Sequence, residues 1–216
     1  FCAKFSIKNA FMNLAVCDNI AEDARKISAS ANIKVLYTGY SKDKFFPVNE
    51  KKEALILTVG AGSNWQRIKI KGIDFFCDLA RSLPEYRFLI IGLNSQAIKL
   101  LGKIPENLEI MGKVSQKELL EYYQRAKLYA QFSMREGLPN VVCEAMLCEC
   151  IPIGFNNGGI PVAIGDAGYI LKEKTLESAK IAIESAMKNM EIGKAARKRI
   201  IEKFPMENRI KFLQNL

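Results

Sequence analysis

Two glutamates, Glu136 and Glu144, stand eight residues apart in a stretch, residues 133–148 (SMREGLPNVVCEAMLC), that reads as a loop running into a helix. Gly137 and Pro139 suit the turn and the first helical position. That leaves the N–H groups around residues 138–141 unpaired and open to an anion. A carboxylate accepts two hydrogen bonds from a vicinal diol, so a glutamate pair beside an anion site suits a ribose or hexose joined to phosphate. Glu144 fits a structural role equally well, half-buried and paired with a cation such as Arg135. A second stretch, residues 60–72 (GAGSNWQRIKIKG), carries three glycines with Arg67, Lys69 and Lys71 and opens a helix. Its N–H groups and ammonium charge suit a phosphate, and its polarity also suits a solvated loop. It matches neither a Walker A sequence nor GxGxxG. A third, residues 156–164 (NNGGIPVAI), places a Gly-Gly turn that by itself reads as a plain turn.

What the chain lacks narrows the chemistry. There is no histidine among its 216 residues, so a Ser-His-Asp or Cys-His pair and a Cys2His2 zinc site are excluded. The six cysteines, Cys2, Cys17, Cys77, Cys143, Cys148 and Cys150, form no CxxC pair and read as reduced, buried small hydrophobes of a cytosolic protein. No Asp-x-Asp occurs, and no metal is expected. The balance of 32 Lys and Arg against 23 Asp and Glu gives a net charge of +9, which invites polyanions. A single tryptophan, Trp65, and no stacking aromatic set argue against nucleic acid. Residues 188–211 hold eight basic and three acidic side chains, which fits a solvated helical face, a docking surface, or contact with an anionic membrane. No apolar run approaches the ~18–20 residues needed to cross a bilayer.

The elements that must position these residues alternate from residue 54 onward. Short apolar runs at 54–60, 87–92, 108–111, 128–132, 151–155 and 169–171 read as buried strands. Between and after them lie helices predicted over 73–82, 95–101, 116–126, 140–148 and 175–189, the third opened by a Ser115/Glu118 capping box. Two more, 195–203 and 207–216, are split by Pro205. Strand–helix alternation predicts an α/β fold: a Rossmann-like parallel sheet of about six strands with helices on both faces, binding ligand at the strands' carboxyl ends. Residues 1–50 are expected to hold the closing βαβ of a preceding domain and a linker at 38–52; 51–204 is the expected Rossmann-like ligand-binding domain, and 205–216 a C-terminal helix. A start at Phe1, without Met, suggests that further residues precede it.

The combination resembles the C-terminal donor domain of the retaining glycosyltransferases of family 4, group 1 glycosyl transferases with the two-domain GT-B fold. The Glu-x7-Glu motif is Glu136-GLPNVVC-Glu144, continuing into AMLCECIPIGFNNGGIP, similar to "EAMACGxPVIAxxxGGIPE". YTGYSKDKFFP resembles the linker "NGVDxxxFxP", VGAGSNWQRIKIKG resembles "VGRxxxxKG", and EIMGKVSQKELLEYYQRAKLYAQFS resembles "VxFxGxVxxxELxxxYxxADVxVxPS". The match runs from about residue 33 to 210, with the segments in the family's order. The chain departs from it at Ala61, where the family has Arg, at Val162, where it has Glu, and at Thr38, where it has Asn.

The resemblance implies that Lys71 contacts the donor diphosphate and that Glu136 holds hydroxyls of the donor sugar, both acting directly on the donor. It implies that Glu144 holds the ribose and that the N–H groups of Gly137, Leu138 and Asn140 lie near the phosphates. Either Arg67 replaces the missing family arginine or that contact is absent, and the backbone around Lys113 and Val114 faces the base. The implied donor is a UDP- or GDP-sugar, with no further cofactor and no metal. The implied acceptor is a glycan or lipid-linked sugar in polysaccharide or glycolipid synthesis, reached with an N-terminal domain outside this chain. The expected place is the cytoplasm, including the inner membrane face. Two rival readings are a non-catalytic nucleotide- or nucleic-acid-binding module and a sugar-nucleotide epimerase or phosphorylase on the same fold.

Overall fold

The computed structural model describes residues 2–216; Phe1 and the side chains of Cys2 and Ala3 lie outside what it describes. The chain opens with helix α1 (Cys2–Asn9) and then β1 (Asn13–Ala15), α2 (Asp18–Ile27) and β2 (Ile33–Val35). β1 and β2 pair in parallel, Asn13 opposite Ile33, so this segment is the expected β–α–β. The following stretch is more than a polar spacer. Tyr40 and Phe45 are buried in the core against Tyr123 and Met146, and the Tyr40 N–H donates to the carbonyl of Phe204 at 2.9 Å.

The rest alternates strand with helix, two helices lying between β3 and β4. In chain order come β3 (Glu53–Val59), α3 (Trp65–Lys71), α4 (Ile73–Ser82), β4 (Arg87–Ile91), α5 (Ser95–Leu100) and β5 (Leu108–Met111). Then follow α6 (Gln116–Arg125), β6 (Ala126–Gln131), α7 (Asn140–Leu147), β7 (Ile151–Phe155), α8 (Ile160–Ile164) and β8 (Tyr169–Leu171). Three helices close the chain: α9 (Leu176–Lys188), α10 (Glu191–Lys203) and α11 (Met206–Gln214). The predicted capping box opens α6, with Ser115 and Glu118 each bonding the other's backbone. The last helices are split at Pro205, as predicted, although α10 begins four residues before Ala195.

The six strands β3–β8 form one wholly parallel sheet in the order β5-β4-β3-β6-β7-β8. Strand order therefore reverses between β3 and β6, and the crevice outside their carboxyl ends is where such sheets bind ligands. Both faces are covered, as a parallel sheet requires. One core packs α4, α5 and α9 around Phe76, Phe88 and Phe132; the other packs α6, α7, α8 and α10 around Tyr123, Tyr129 and Phe204. Edge-on aromatic contacts, Phe75 to Phe132 at 4.9 Å and to Phe155 at 5.1 Å, fix α4 beneath the carboxyl ends of β6 and β7.

Two stretches read as loops contain helix. Residues 65–71 form α3 because Asn64 caps them, its side chain accepting the Arg67 N–H at 2.9 Å. Residues 160–164 form α8, with Pro161 in the first turn, where a missing N–H costs nothing.

Candidate functional site

The crevice is built from the ends of two strands. After β3 the chain turns through Gly60 and Gly62 into α3, on which Arg67 and Lys71, four residues apart, share one face. Helix α3 stops at Gly72 (φ 67), a left-handed position at which a Cβ would run into the carbonyl of Phe132. The Met134 N–H donates to the carbonyl of Ile70 at 2.7 Å, so the end of α3 is tied to the segment after β6. Lys71 is thereby set opposite Glu136, and its Nζ lies 2.7 Å from Glu136 Oε1. Both side chains are partly buried, 35% and 16% exposed. A half-buried ion pair of this kind is shielded from water more than a surface pair is.

The 136–138 segment is held from a second side by the turn between β7 and α8. The Gly159 N–H donates to the carbonyl of Glu136 at 3.1 Å. A Cβ at Gly158 (φ 54) would meet that same carbonyl, and one at Gly159 would meet the carbonyl of Gly137. The turn read as ordinary is thus a backbone clamp on the glutamate loop. It in turn receives α2, for Asn19 Nδ2 donates to the carbonyl of Gly158 at 2.9 Å. Gly137 packs close to Val16, and Leu138 is buried.

Helix α7 starts at Asn140 behind Pro139, without a side-chain cap. Asn140 Oδ1 accepts the Tyr40 hydroxyl at 2.8 Å, so that side chain faces the 38–52 segment, and a phosphate would meet the residue through its backbone. Glu144 lies one turn further and does not pair with Arg135. Its partner is the Tyr123 hydroxyl, 3.4 Å from Oε2, and burial raises its carboxyl above the usual range against the opposing pull of Tyr123 and the charge of Lys44. Lys113 and Val114 follow β5, two strands away from β3; Lys113 is exposed and Val114 packs partly buried against the second core. The Arg67 side chain is exposed. The geometry therefore brings Lys71, Glu136, Gly137 and Leu138 together, sets Glu144 on the adjoining helix, and leaves Lys113, Val114 and Arg67 at the rim.

Sequence reasoning missed what lies behind Glu136. The amide of Gln131, buried at 3% exposure, donates from Nε2 to Glu136 Oε1 at 3.2 Å and to Ser133 Oγ at 2.6 Å. A glutamine closing an otherwise apolar buried strand, LYAQF, was the available signal. The five described cysteines, Cys17, Cys77, Cys143, Cys148 and Cys150, are free and buried, and burial pushes the Cys77 and Cys143 thiols up to about 12. Among the described residues no group of three His, Cys, Asp or Glu side chains gathers to hold a metal. No described helix is long and apolar enough to cross a membrane.

Comparison with known proteins bears on the same residues. Residues 40–204 match the family model for glycosyl transferases group 1. Over 192 residues the chain is 27% identical to TuaC of Bacillus subtilis (strain 168), whose name assigns it to teichuronic acid biosynthesis as a glycosyltransferase; the match covers 83% of this chain. It is 28% identical over 167 residues, 67% of this chain, to the alpha-galactosylglucosyldiacylglycerol synthase of Streptococcus pneumoniae (strain ATCC BAA-255 / R6). These matches span 48% and 44% of the two relatives, about half of each. Among solved structures, Anabaena Alr3699/HepE in complex with UDP-glucose superimposes with a TM-score of 0.81 at 17% identity, covering 99% of this chain and 66% of that one. The sheet order is that of the C-terminal Rossmann-like domain of the GT-B fold, and the chain belongs to the glycosyl transferases group 1.

Proposed function

We propose that this chain is the donor-binding part of a retaining glycosyltransferase, taking a UDP- or GDP-sugar at the β3/β6 crevice. The observation that carries the reading is the 2.7 Å pairing of Lys71 with Glu136 across that crevice, beside the uncapped start of α7. An ammonium and free helix N–H groups serve a diphosphate; a carboxylate beside them serves sugar hydroxyls, and Glu144 a ribose diol. Arg67, on the same face of α3, is placed to extend the cationic side toward the phosphates.

In transfer, the bond from the anomeric carbon to the diphosphate oxygen breaks and its electron pair stays on the diphosphate. The acceptor hydroxyl oxygen then bonds to that carbon on the same face and gives up its proton to the departing diphosphate oxygen. Lys71 and the α7 N–H groups stabilise the charge more as it develops than in the ground state, which is what accelerates the step. Because these groups supply the counter-charge, the reading needs no divalent metal. The acceptor, a glycan or lipid-linked sugar, is supplied from a second domain facing the crevice, as in a two-domain cleft, and the basic 188–211 stretch offers a surface toward anionic lipid.

Titration calorimetry of the chain with UDP, GDP, UDP-glucose and GDP-mannose, with and without EDTA, tests this. Binding of a nucleotide sugar unchanged by chelator is expected; no binding to any of them overturns the assignment, and binding lost with EDTA overturns its metal-free form.

A further inference from the structure

The parallel ladder between β3 and β6 ends at the pair Leu57–Tyr129, although β3 runs on to Val59 and β6 to Gln131. On their outer sides the same strands stay paired to their ends, Val59 with Ile91 and Gln131 with Gly154. The sheet therefore splits at the floor of the crevice, and buried side chains fill the gap. The Val59 N–H donates to the Tyr129 hydroxyl at 3.2 Å, and that hydroxyl donates to Gln131 Oε1 at 3.1 Å. Gln131 Nε2 then donates to Ser133 Oγ and to Glu136 Oε1. The direction of this chain is forced, because at one end a backbone N–H can only donate and at the other an ionised carboxylate can only accept. The Tyr129 hydroxyl is wholly buried, which keeps its proton on and available to Gln131.

Oε1 of Glu136 thus receives two donors, the Lys71 ammonium and the Gln131 amide, and Oε2 has none among the described residues. We infer that Gln131, backed by Tyr129, is a positioning residue that fixes the Glu136 carboxylate from behind, so that Oε2 faces the donor sugar when Lys71 turns to the diphosphate. Lys71 is a flexible side chain with another role to fill, whereas the amide is locked at both ends and buried. The inference rests on the donor-binding reading of Glu136 and adds what holds it.

Calorimetry of the 216-residue chain with UDP and GDP against UDP-glucose and GDP-mannose gives the gain due to the sugar as a ratio of affinities. Gln131→Met keeps bulk and removes both amide contacts; it is expected to cut that ratio about tenfold, the worth of a hydrogen bond to a charged group, with the free nucleotide bound as before. Tyr129→Phe, which frees the amide to turn, is expected to cut it less. Placed on a Glu136→Ala background, Gln131→Met is expected to add nothing, because its effect passes through that carboxylate. A ratio unchanged by Gln131→Met while Glu136→Ala abolishes it overturns the positioning role alone. Equal losses for nucleotide and nucleotide sugar, or full additivity with Glu136→Ala, show a merely structural glutamine and overturn it too. A ratio untouched by Glu136→Ala overturns the sugar-facing reading and the positioning role with it. Should Gln131→Met fail to fold, Tyr129→Phe carries the same comparisons.

Discussion

Glu144 is a carboxylate kept where burial opposes its charge, with one long hydrogen bond from Tyr123 as compensation. Its folded value lies above its unfolded one, so over that window the native state holds a proton the unfolded chain has lost. Native stability contributed by this residue therefore falls as pH rises from the unfolded value through the folded one. Glu144→Gln is expected to flatten that fall, leaving the chain at pH 7 as stable as or more stable than the wild type in urea melts. The same variant should weaken nucleoside diphosphates by about 1–3 kcal/mol while sparing pyrophosphate, if the carboxylate holds a ribose diol. A chain that loses stability, with no selective loss of the nucleoside, would make Glu144 a structural residue. Lys71→Ala should show the reverse selectivity, with pyrophosphate and nucleotide weakened together. Both glutamates were legible in the sequence because a charged residue in an apolar helix start, or beside a Gly-Leu-Pro turn, stands out. Gln131 was not, since one amide in a strand predicts burial without saying what it faces.

At the level of elements, the placement of Lys71 depends on two devices that are local in sequence, the Asn64 cap and the left-handed Gly72. Asn64→Ala should cost about 1 kcal/mol, the usual worth of an N-cap, and should lower pyrophosphate affinity by loosening the short α3. Gly72→Ala should cost more, about 1–3 kcal/mol for backbone strain alone, with the clash against the Phe132 carbonyl added. Circular dichroism melts separate the two; equal destabilisation would mean that the contact relaxes without cost. Each of the eight strands of the structure overlaps a predicted segment, because a parallel sheet buried on both faces writes itself as short apolar runs, although β3 begins one residue and β6 two residues before the predicted run. Helix α3 was hidden because its apolar positions are few: Ile68 is buried, whereas Trp65 and Ile70 are substantially exposed. The α8 turn was hidden because Asn-Asn-Gly-Gly announces flexibility while its carbonyl contacts to residues 136 and 137 are long-range.

The molecule as a whole brings its two ends together. Arg209 on α11 donates to the carbonyls of Leu36 and Tyr37, both at 3.1 Å, and Lys34 lies over the Phe212 ring. Arg209→Ala is expected to increase hydrogen exchange in β1 and β2 while leaving β3–β8 protected; uniform exchange would show that the staple stabilises the entire chain. Positioning an acceptor against a donor accounts for about 7–11 kcal/mol of a barrier in well-oriented reactions. The chain alone should therefore bind donor and transfer no sugar to a lipid or glycan acceptor, whereas a longer form carrying an acceptor-side domain transfers with retention. Equal turnover by both would place the complete active site within residues 1–216.

The contact between Arg209 and Leu36 spans 173 positions of chain. During synthesis the β1–α2–β2 segment leaves the ribosome long before the helix that covers it. At about 5–20 residues per second the wait is about 9–35 s. For that time two three-residue strands stand without the helix that packs beside them. Until α11 arrives, the carbonyls of Leu36 and Tyr37 lack the Arg209 donor that ties the early segment to the rest of the chain.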